Sequence, residues 1–196
     1  MYTIPCILFA GGRSSRMGEN KALLPFAGKE SLSQYQYERL NEIFEHVYIG
    51  TKEPQLFNHI KDALFIDECC HPNVYAPTVG FVSAFKQLKN EKALFALPVD
   101  APFVNKAMID AFLTVELGDH DAIIARTKSG MHPLCGIYSR SLELPFYNMI
   151  REDNHKLGKL LKNSNVFYVD IEDEDLLMNV NTPDEYQKAL KKVAGE

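Results

Sequence analysis

Residues 11–21 concentrate the groups that bind a polyanion: Gly11, Gly12 and Gly18, the cations Arg13, Arg16 and Lys21, and the hydroxyls of Ser14 and Ser15. They follow a short apolar run from Ile4 to Ala10. Glycines permit positive φ and let a ligand come close to main-chain N–H groups. Cations on the same loop supply counter-charge for phosphates. Two familiar phosphate loops are excluded by spacing. Gly18 is followed by Glu19 rather than lysine, which breaks G-x-x-x-x-G-K-[ST]. Gly12 directly follows Gly11, which breaks G-x-G-x-x-G.

Two aspartates close apolar runs further along. Asp67 ends Ala63-Leu64-Phe65-Ile66-Asp67, and Asp100 ends Ala93 to Asp100 inside Pro98-Val99-Asp100-Ala101-Pro102-Phe103. An aspartate after a buried strand can serve simply as a turn or cap residue. A carboxylate facing a triphosphate needs an intervening cation, and Mg²⁺ is the hard, oxygen-seeking ion that fits. Asp100 is therefore the candidate metal ligand.

The elements that must position these groups alternate along the chain. Ile4 to Ala10, His46 to Gly50, Ala63 to Asp67, Ala93 to Asp100, Asp121 to Arg126, His132 to Tyr138 and Val166 to Asp170 are predicted strands. Helical spacing covers Ser31 to Leu40, Val79 to Leu88, Lys106 to Leu117 and Leu142 to Ile150. Thr182-Pro183-Asp184-Glu185 has the pattern of a capped helix start, with the helix running to Val193. Alternation of this kind predicts an α/β fold, a single Rossmann-like domain over residues 1–196 with a doubly wound, mostly parallel sheet and helices on both faces. In such a sheet ligands bind at the carboxyl ends of the strands, which gathers the Gly11 loop, Gly50, Asp67 and Asp100 on one rim.

With 196 residues and a formal charge of −5, the chain has the bounds of one well-buried domain and not those of a nucleic-acid binder. The four cysteines show no C-x-x-C and no zinc spacing, so free thiols in a reducing compartment are expected. No basic region precedes the first apolar run and no run reaches membrane-spanning length, so the expectation is a cytoplasmic protein with no membrane partner.

The order A-G-G-x-x-x-R-M-G-x-x-K, read from Ala10 to Lys21, resembles the signature loop of nucleotidyltransferases, and among them that of the molybdenum cofactor guanylyltransferases. P-x-D-x-P-F at Pro98 to Phe103 and N-x-N-T-P at Asn179 to Pro183 resemble further segments of that family, as does His132-Pro133-Leu134. The resemblance implies a transferase for the molybdenum cofactor that uses GTP, a molybdopterin-type acceptor and Mg²⁺, with molybdoenzymes or their chaperones receiving the product. It implies catalytic roles for Arg16, Lys21 and Asp100, with Asp100 holding the metal. Nucleotide or acceptor contacts are implied for Phe9, Ala10, Gly11, Gly12, Lys21, Asp67, Gly80, Asp100, Asn179 and Asn181. At Asp67 a carboxylate suits guanine, because it accepts from both N1–H and the exocyclic amine.

The chain departs from the family pattern in places. Phe9 stands where leucine is usual, and Ala76-Pro77-Thr78-Val79-Gly80 replaces G-P-L-x-G, losing its first glycine. Two other readings share these features. One is a cytidylyltransferase for the same cofactor, or a sugar-phosphate nucleotidyltransferase. The other is a nucleotide-binding module without catalysis, against which intact Arg16, Lys21 and Asp100 weigh.

Overall fold

The structure is a computed structural model that describes residues 1–12, 17–68, 71 and 73–195. Seven strands form one sheet: β1 (Cys6–Phe9), β2 (Val47–Thr51), β3 (Leu64–Asp67), β4 (Ala93–Pro98), β5 (Ala122–Thr127), β6 (Gly130–Ser139) and β7 (Val166–Asp170). Their order across the sheet is β3-β2-β1-β4-β6-β5-β7. All neighbours run parallel except at β6, which is antiparallel to both β4 and β5.

Among the described residues, six helices cover the sheet: α1 (Leu32–Asn41), α2 (Pro77–Gln87), α3 (Lys106–Leu113), α4 (Glu143–Arg151), α5 (Leu157–Lys162) and α6 (Pro183–Ala194). Alternate strand residues feed two separate cores. Cys6 and Leu8 of β1 pack with α1, α3 and α6 through Leu32, Leu40, Ile109, Phe112 and Ala189. Ile7 and Phe9 pack on the opposite face with α2, α4 and α5 through Phe81, Phe85, Phe146 and Leu161. The doubly wound, mostly parallel sheet with helices on both faces is thus as expected.

Several boundaries differ from the sequence reading. α3 stops at Leu113 instead of Leu117, where the Thr114 hydroxyl donates to the Ala111 carbonyl and competes with the helix. β4 ends at Pro98, and Asp100 lies in the turn closed by Ala101 N–H donating to the Pro98 carbonyl, 3.2 Å. α5, a six-residue helix, was not expected at all.

β6 carries the main irregularity. Its pairing with β5 jumps from Ile124↔Gly136 to Ala125↔His132, so Pro133, Leu134 and Cys135 bulge out of the ladder. Gly136 makes this possible. It has φ 153°, and a Cβ there would sit 2.1 Å from the Ile123 carbonyl oxygen. Because β6 runs against β4, the bulge arrives at the rim formed by the carboxyl ends of β1, β2 and β4, where Phe9 lies opposite both Gly50 and Pro98.

Candidate active site

The rim is extended one residue past the strands by main-chain hydrogen bonds. Ala10 N–H donates to Gly50 (3.0 Å), Val99 N–H to Phe9 (3.0 Å) and Glu68 N–H to Thr51 (3.1 Å). Above this rim lies a cavity of ≈ 140 Å³ walled by Phe9, Ala10, Gly11, Gly12, Lys21 and Asp100, among others. These six are all sequence-predicted site residues. Because the Ala10 N–H is already committed to Gly50, Gly11 and Gly12 are left of the three predicted main-chain donors Ala10 to Gly12. Arg16 lies outside the described residues.

Lys21 opens a short 3₁₀ turn, Lys21–Leu23, capped by the Asn20 side chain, which accepts from Ala22 N–H at 3.1 Å. From there its ammonium is ion-paired to the Asp100 carboxylate and donates to Asn181 Oδ1 at 2.8 Å. The two partners are largely shielded from water, with side-chain exposures of 15% for Lys21 and 13% for Asp100. A cation thus sits between a carboxylate and an amide brought from chain positions far apart.

Both sides of Asp100 are pinned by the main chain. Buried Gln36, on α1, donates its Nε2 to the carbonyls of Val99 (3.3 Å) and Ala101 (3.0 Å). Gln36 Oε1 in turn accepts from Arg39. Val180 N–H donates to the Asp100 carbonyl at 2.8 Å, which ties the N-x-N-T-P segment to the same turn. That segment is itself fixed at the start of α6, where Thr182 caps Glu185 N–H and the Glu185 carboxylate accepts from Asn181 N–H at 2.8 Å. Replacing Gln36 by leucine is expected to leave two buried carbonyls unpaired, at about 1–3 kcal/mol of stability. A fall in kcat beyond the unfolded fraction should accompany it, checked by denaturant melts and turnover on one preparation.

The structure places one predicted site residue, Asp67, outside the cavity and its neighbour Glu68 in the wall. Asp67 is exposed and outside the cavity wall; its N–H donates to Gln87 Oε1 at 3.3 Å and its carbonyl accepts from Gln87 Nε2 at 3.0 Å. The carboxylate in the wall is Glu68, only 5% exposed. Strand alternation explains the exchange: Ile66 faces the α2 core, Asp67 faces away, and Glu68 returns to the side of Ile66. Around the Glu68 carboxylate lie three glycines. A Cβ on Gly11 would approach Oε2 to 3.1 Å, one on Gly50 would approach Oε1 to 2.9 Å and one on Gly80 to 2.7 Å. Gly80 therefore makes room for Glu68 and Phe9, and it is not part of the cavity wall. Burial pushes the Glu68 carboxyl up to about 7, against the pull of nearby Lys52.

A second, roomier cavity of ≈ 520 Å³ shares Pro77, Pro98, Asp100 and Leu134 with the first. The β6 bulge supplies Pro133, Leu134 and Cys135, and Asn179, His132, His155 and Gly158 complete much of its wall. His132 is hydrogen-bonded at 3.2 Å to Thr127 of its own hairpin, and burial holds its imidazole below the ordinary value, which favours the neutral ring. His155, which stands in no recognisable sequence motif, links the loop before α5 to the buried Thr78 hydroxyl of α2 at 2.7 Å. Asp100 thus stands where two adjoining cavities meet, an arrangement that suits joining two phosphorylated substrates.

Residues 6–166 match the family described as the MobA-like NTP transferase domain. The molybdenum cofactor guanylyltransferase of Campylobacter jejuni subsp. jejuni serotype O:6 is 36% identical over 186 residues, covering 93% of each chain. That of Helicobacter pylori strain P12 is 30% identical over 193 residues, covering 96% of this chain and 92% of its own. In fold, the chain resembles the molybdopterin-guanine dinucleotide biosynthesis protein A of Archaeoglobus fulgidus, with a TM-score of 0.84, 20% identity, and coverage of 98% and 100%. Family match, sheet topology and the glycine-loop cavity agree: the chain belongs to the MobA-like nucleotidyltransferases.

Proposed function

We propose that the whole chain is one nucleotidyltransferase domain that transfers GMP from GTP to the terminal phosphate of molybdopterin-bound molybdenum. The products are pyrophosphate and the molybdopterin guanine dinucleotide cofactor. One observation carries the reading: the Lys21 ammonium is clamped between Asp100 and Asn181 on the wall of a glycine-lined cavity that also holds Glu68. The names of the Campylobacter and Helicobacter relatives support the choice of acceptor.

In this reading an acceptor phosphate oxygen attacks the α-phosphorus of GTP, and the bond to the α,β-bridging oxygen breaks with its electron pair leaving on pyrophosphate. The acceptor is already ionised, so no strong general base is required, and the work of the site is positioning and charge stabilisation. Lys21 offsets charge on the α-phosphate and the departing pyrophosphate, and Arg16 is assigned the same task. Gly11 and Gly12 offer main-chain N–H groups to the nucleotide. Glu68 replaces Asp67 as the group that accepts from guanine N1–H and the exocyclic amine. The second cavity takes the pterin, with Asn179 in its wall and Asn181 acting through Lys21.

Among the described residues no cluster of three acidic, histidine or cysteine side chains could hold a metal on its own. The donor set nevertheless fits Mg²⁺, which keeps most of its waters and takes one or two carboxylates plus substrate phosphates. Asp100 would hold it, and the ion would supply charge neutralisation at the substrate phosphates. Asp100→Asn keeps the shape and removes that charge. It is expected to lower kcat by roughly 10²-fold or more and to raise the Mg²⁺ concentration needed for half-maximal rate. A parental Mg²⁺ titration in the variant would place the metal elsewhere.

No helix among the described residues is long and apolar enough to cross a membrane, and we place the reaction in the cytoplasm, with molybdoenzymes or their chaperones receiving the product. The test is pyrophosphate release with molybdopterin-bound molybdenum and GTP, CTP, ATP or inosine triphosphate in turn. GTP is expected to lead; a lead for CTP would favour the cytidylyltransferase reading, and no release with any nucleotide would favour a binding module.

A further inference from the structure

Tyr75 is a large aromatic side chain left 47% exposed at the mouth of the site. It belongs to the wall of the glycine-loop cavity that contains Glu68, and also to a polar cavity of ≈ 190 Å³ walled by Gly12, Asn20, Thr51, Lys52 and Glu53. Tyr75 is thus shared by two adjoining spaces, and Lys52 lines the polar one. Its ammonium lies 4.1 Å from the ring centroid. The same ammonium donates to the carbonyls of His71 at 2.7 Å and Val74 at 2.6 Å, which fixes the backbone immediately before Tyr75.

We infer that Tyr75, held by Lys52, is the platform on which the nucleotide base stacks while Glu68 reads the base edge. This rests on the nucleotidyltransferase reading above and adds a residue to its specificity site. Three features carry it. A base whose edge meets Glu68 needs a flat partner for its face, and Tyr75 is in the same wall. A cation on one face of the ring draws electron density towards itself, which makes the opposite side a better partner for an electron-rich purine. Lys52 also holds the ring before ligand arrives, so little ordering entropy is lost on binding. The pterin of the acceptor is flat as well, but Tyr75 is not in the wall of the second cavity, where Asn179 and His155 lie.

The chain contains no tryptophan, so Tyr75→Trp introduces a single indole reporter at the site. Its fluorescence is expected to be quenched by GTP, GMP and guanosine and to be unchanged by pyrophosphate. Tyr75→Leu is expected to raise the KM for GTP roughly 5- to 150-fold, the range for losing one aromatic stacking partner. Its kcat should change far less, its preference for GTP over ATP should persist, and Tyr75→Phe should recover most of the loss. Lys52→Met should raise KM in the same direction, with Lys52→Arg partly restoring it. GTP affinity within twofold of the parent in Tyr75→Leu, together with no quenching in Tyr75→Trp, would overturn the platform while leaving the guanylyltransferase reading intact. A parent that binds CTP or ATP in place of GTP, still weakened by Tyr75→Leu, would keep the platform and remove the guanine assignment. A parent that binds no nucleotide would remove both.

Discussion

Lys21→Ala is expected to lower kcat by roughly 10²- to 10³-fold, the usual loss when one preorganised charge stabiliser is removed. Two physical terms act together. The α-phosphate and pyrophosphate lose the cation that offsets their developing charge. Asp100 loses its counter-ion, since the two side chains are paired in a largely shielded place. The second term also costs stability, about 1–3 kcal/mol, which a denaturant melt separates from the catalytic loss. The Asn181 amide, which accepts from the same ammonium at 2.8 Å, holds it in place. Turnover at saturating GTP, corrected for the folded fraction, is the measurement. A folded variant with parental kcat would mean that Lys21 only anchors the Asp100 turn.

Glu68→Gln is expected to shrink the preference for GTP over ATP by roughly 5- to 150-fold, because a site built to bond one edge is left unpaired by another. The glutamine amide offers one acceptor where guanine presents two donors, and its NH₂ opposes the exocyclic amine. Inosine triphosphate, which lacks that amine, should fall between GTP and ATP in the parent and lose its rank in the variant. A pH signature accompanies the change. In the free protein burial raises the Glu68 carboxyl to about 7, so below that pH a proton competes with guanine. The KM for GTP is expected to rise as pH falls below about 7, and this dependence should vanish in Glu68→Gln. The stability contribution has the opposite sense. A carboxyl raised from 4.5 to about 7 on folding binds more protons in the native state between those values. Its contribution is fully present below the lower value and is lost as pH rises through the upper one. Selectivity among the nucleotides that matches the parent in Glu68→Gln would remove Glu68 as the base reader.

The sequence made the scaffold legible because its signals are local. Apolar runs ending at Gly50, Asp67 and Asp100 mark three strands to within two residues of their ends at Thr51, Asp67 and Pro98, and the rim of a parallel sheet collects whatever follows them. Thr182 announces its helix by capping. The cavity wall was legible where a strand end carries it, from Phe9 to Gly12 after β1 and at Asp100 after β4, and at Lys21 on the loop after β1. It was obscured where tertiary packing decides. Asp67 and Glu68 are both carboxylates at the same strand end, and alternation from buried Ile66 gives the cavity to Glu68; that phase is present in the sequence, but it needs the face of β3 to be known. Gln36 reads as one polar residue in a helix, yet it faces inward and binds the carbonyls on both sides of Asp100. Tyr75 and Lys52 lie well apart in sequence and meet only through the loop before α2. The short α5 has too few residues for its periodicity to stand out.

The proposed reaction joins a guanylyl group to a phosphorylated molybdopterin. GTP labelled in its α-phosphate should be incubated with the protein, Mg²⁺ and molybdopterin-bound molybdenum, and the products separated and weighed by mass spectrometry. The expected result is a dinucleotide product that carries the label, one equivalent of pyrophosphate per product, and loss of both with Lys21→Ala. Label recovered only as GTP or free GMP, with the acceptor unchanged and the protein folded, would contradict it.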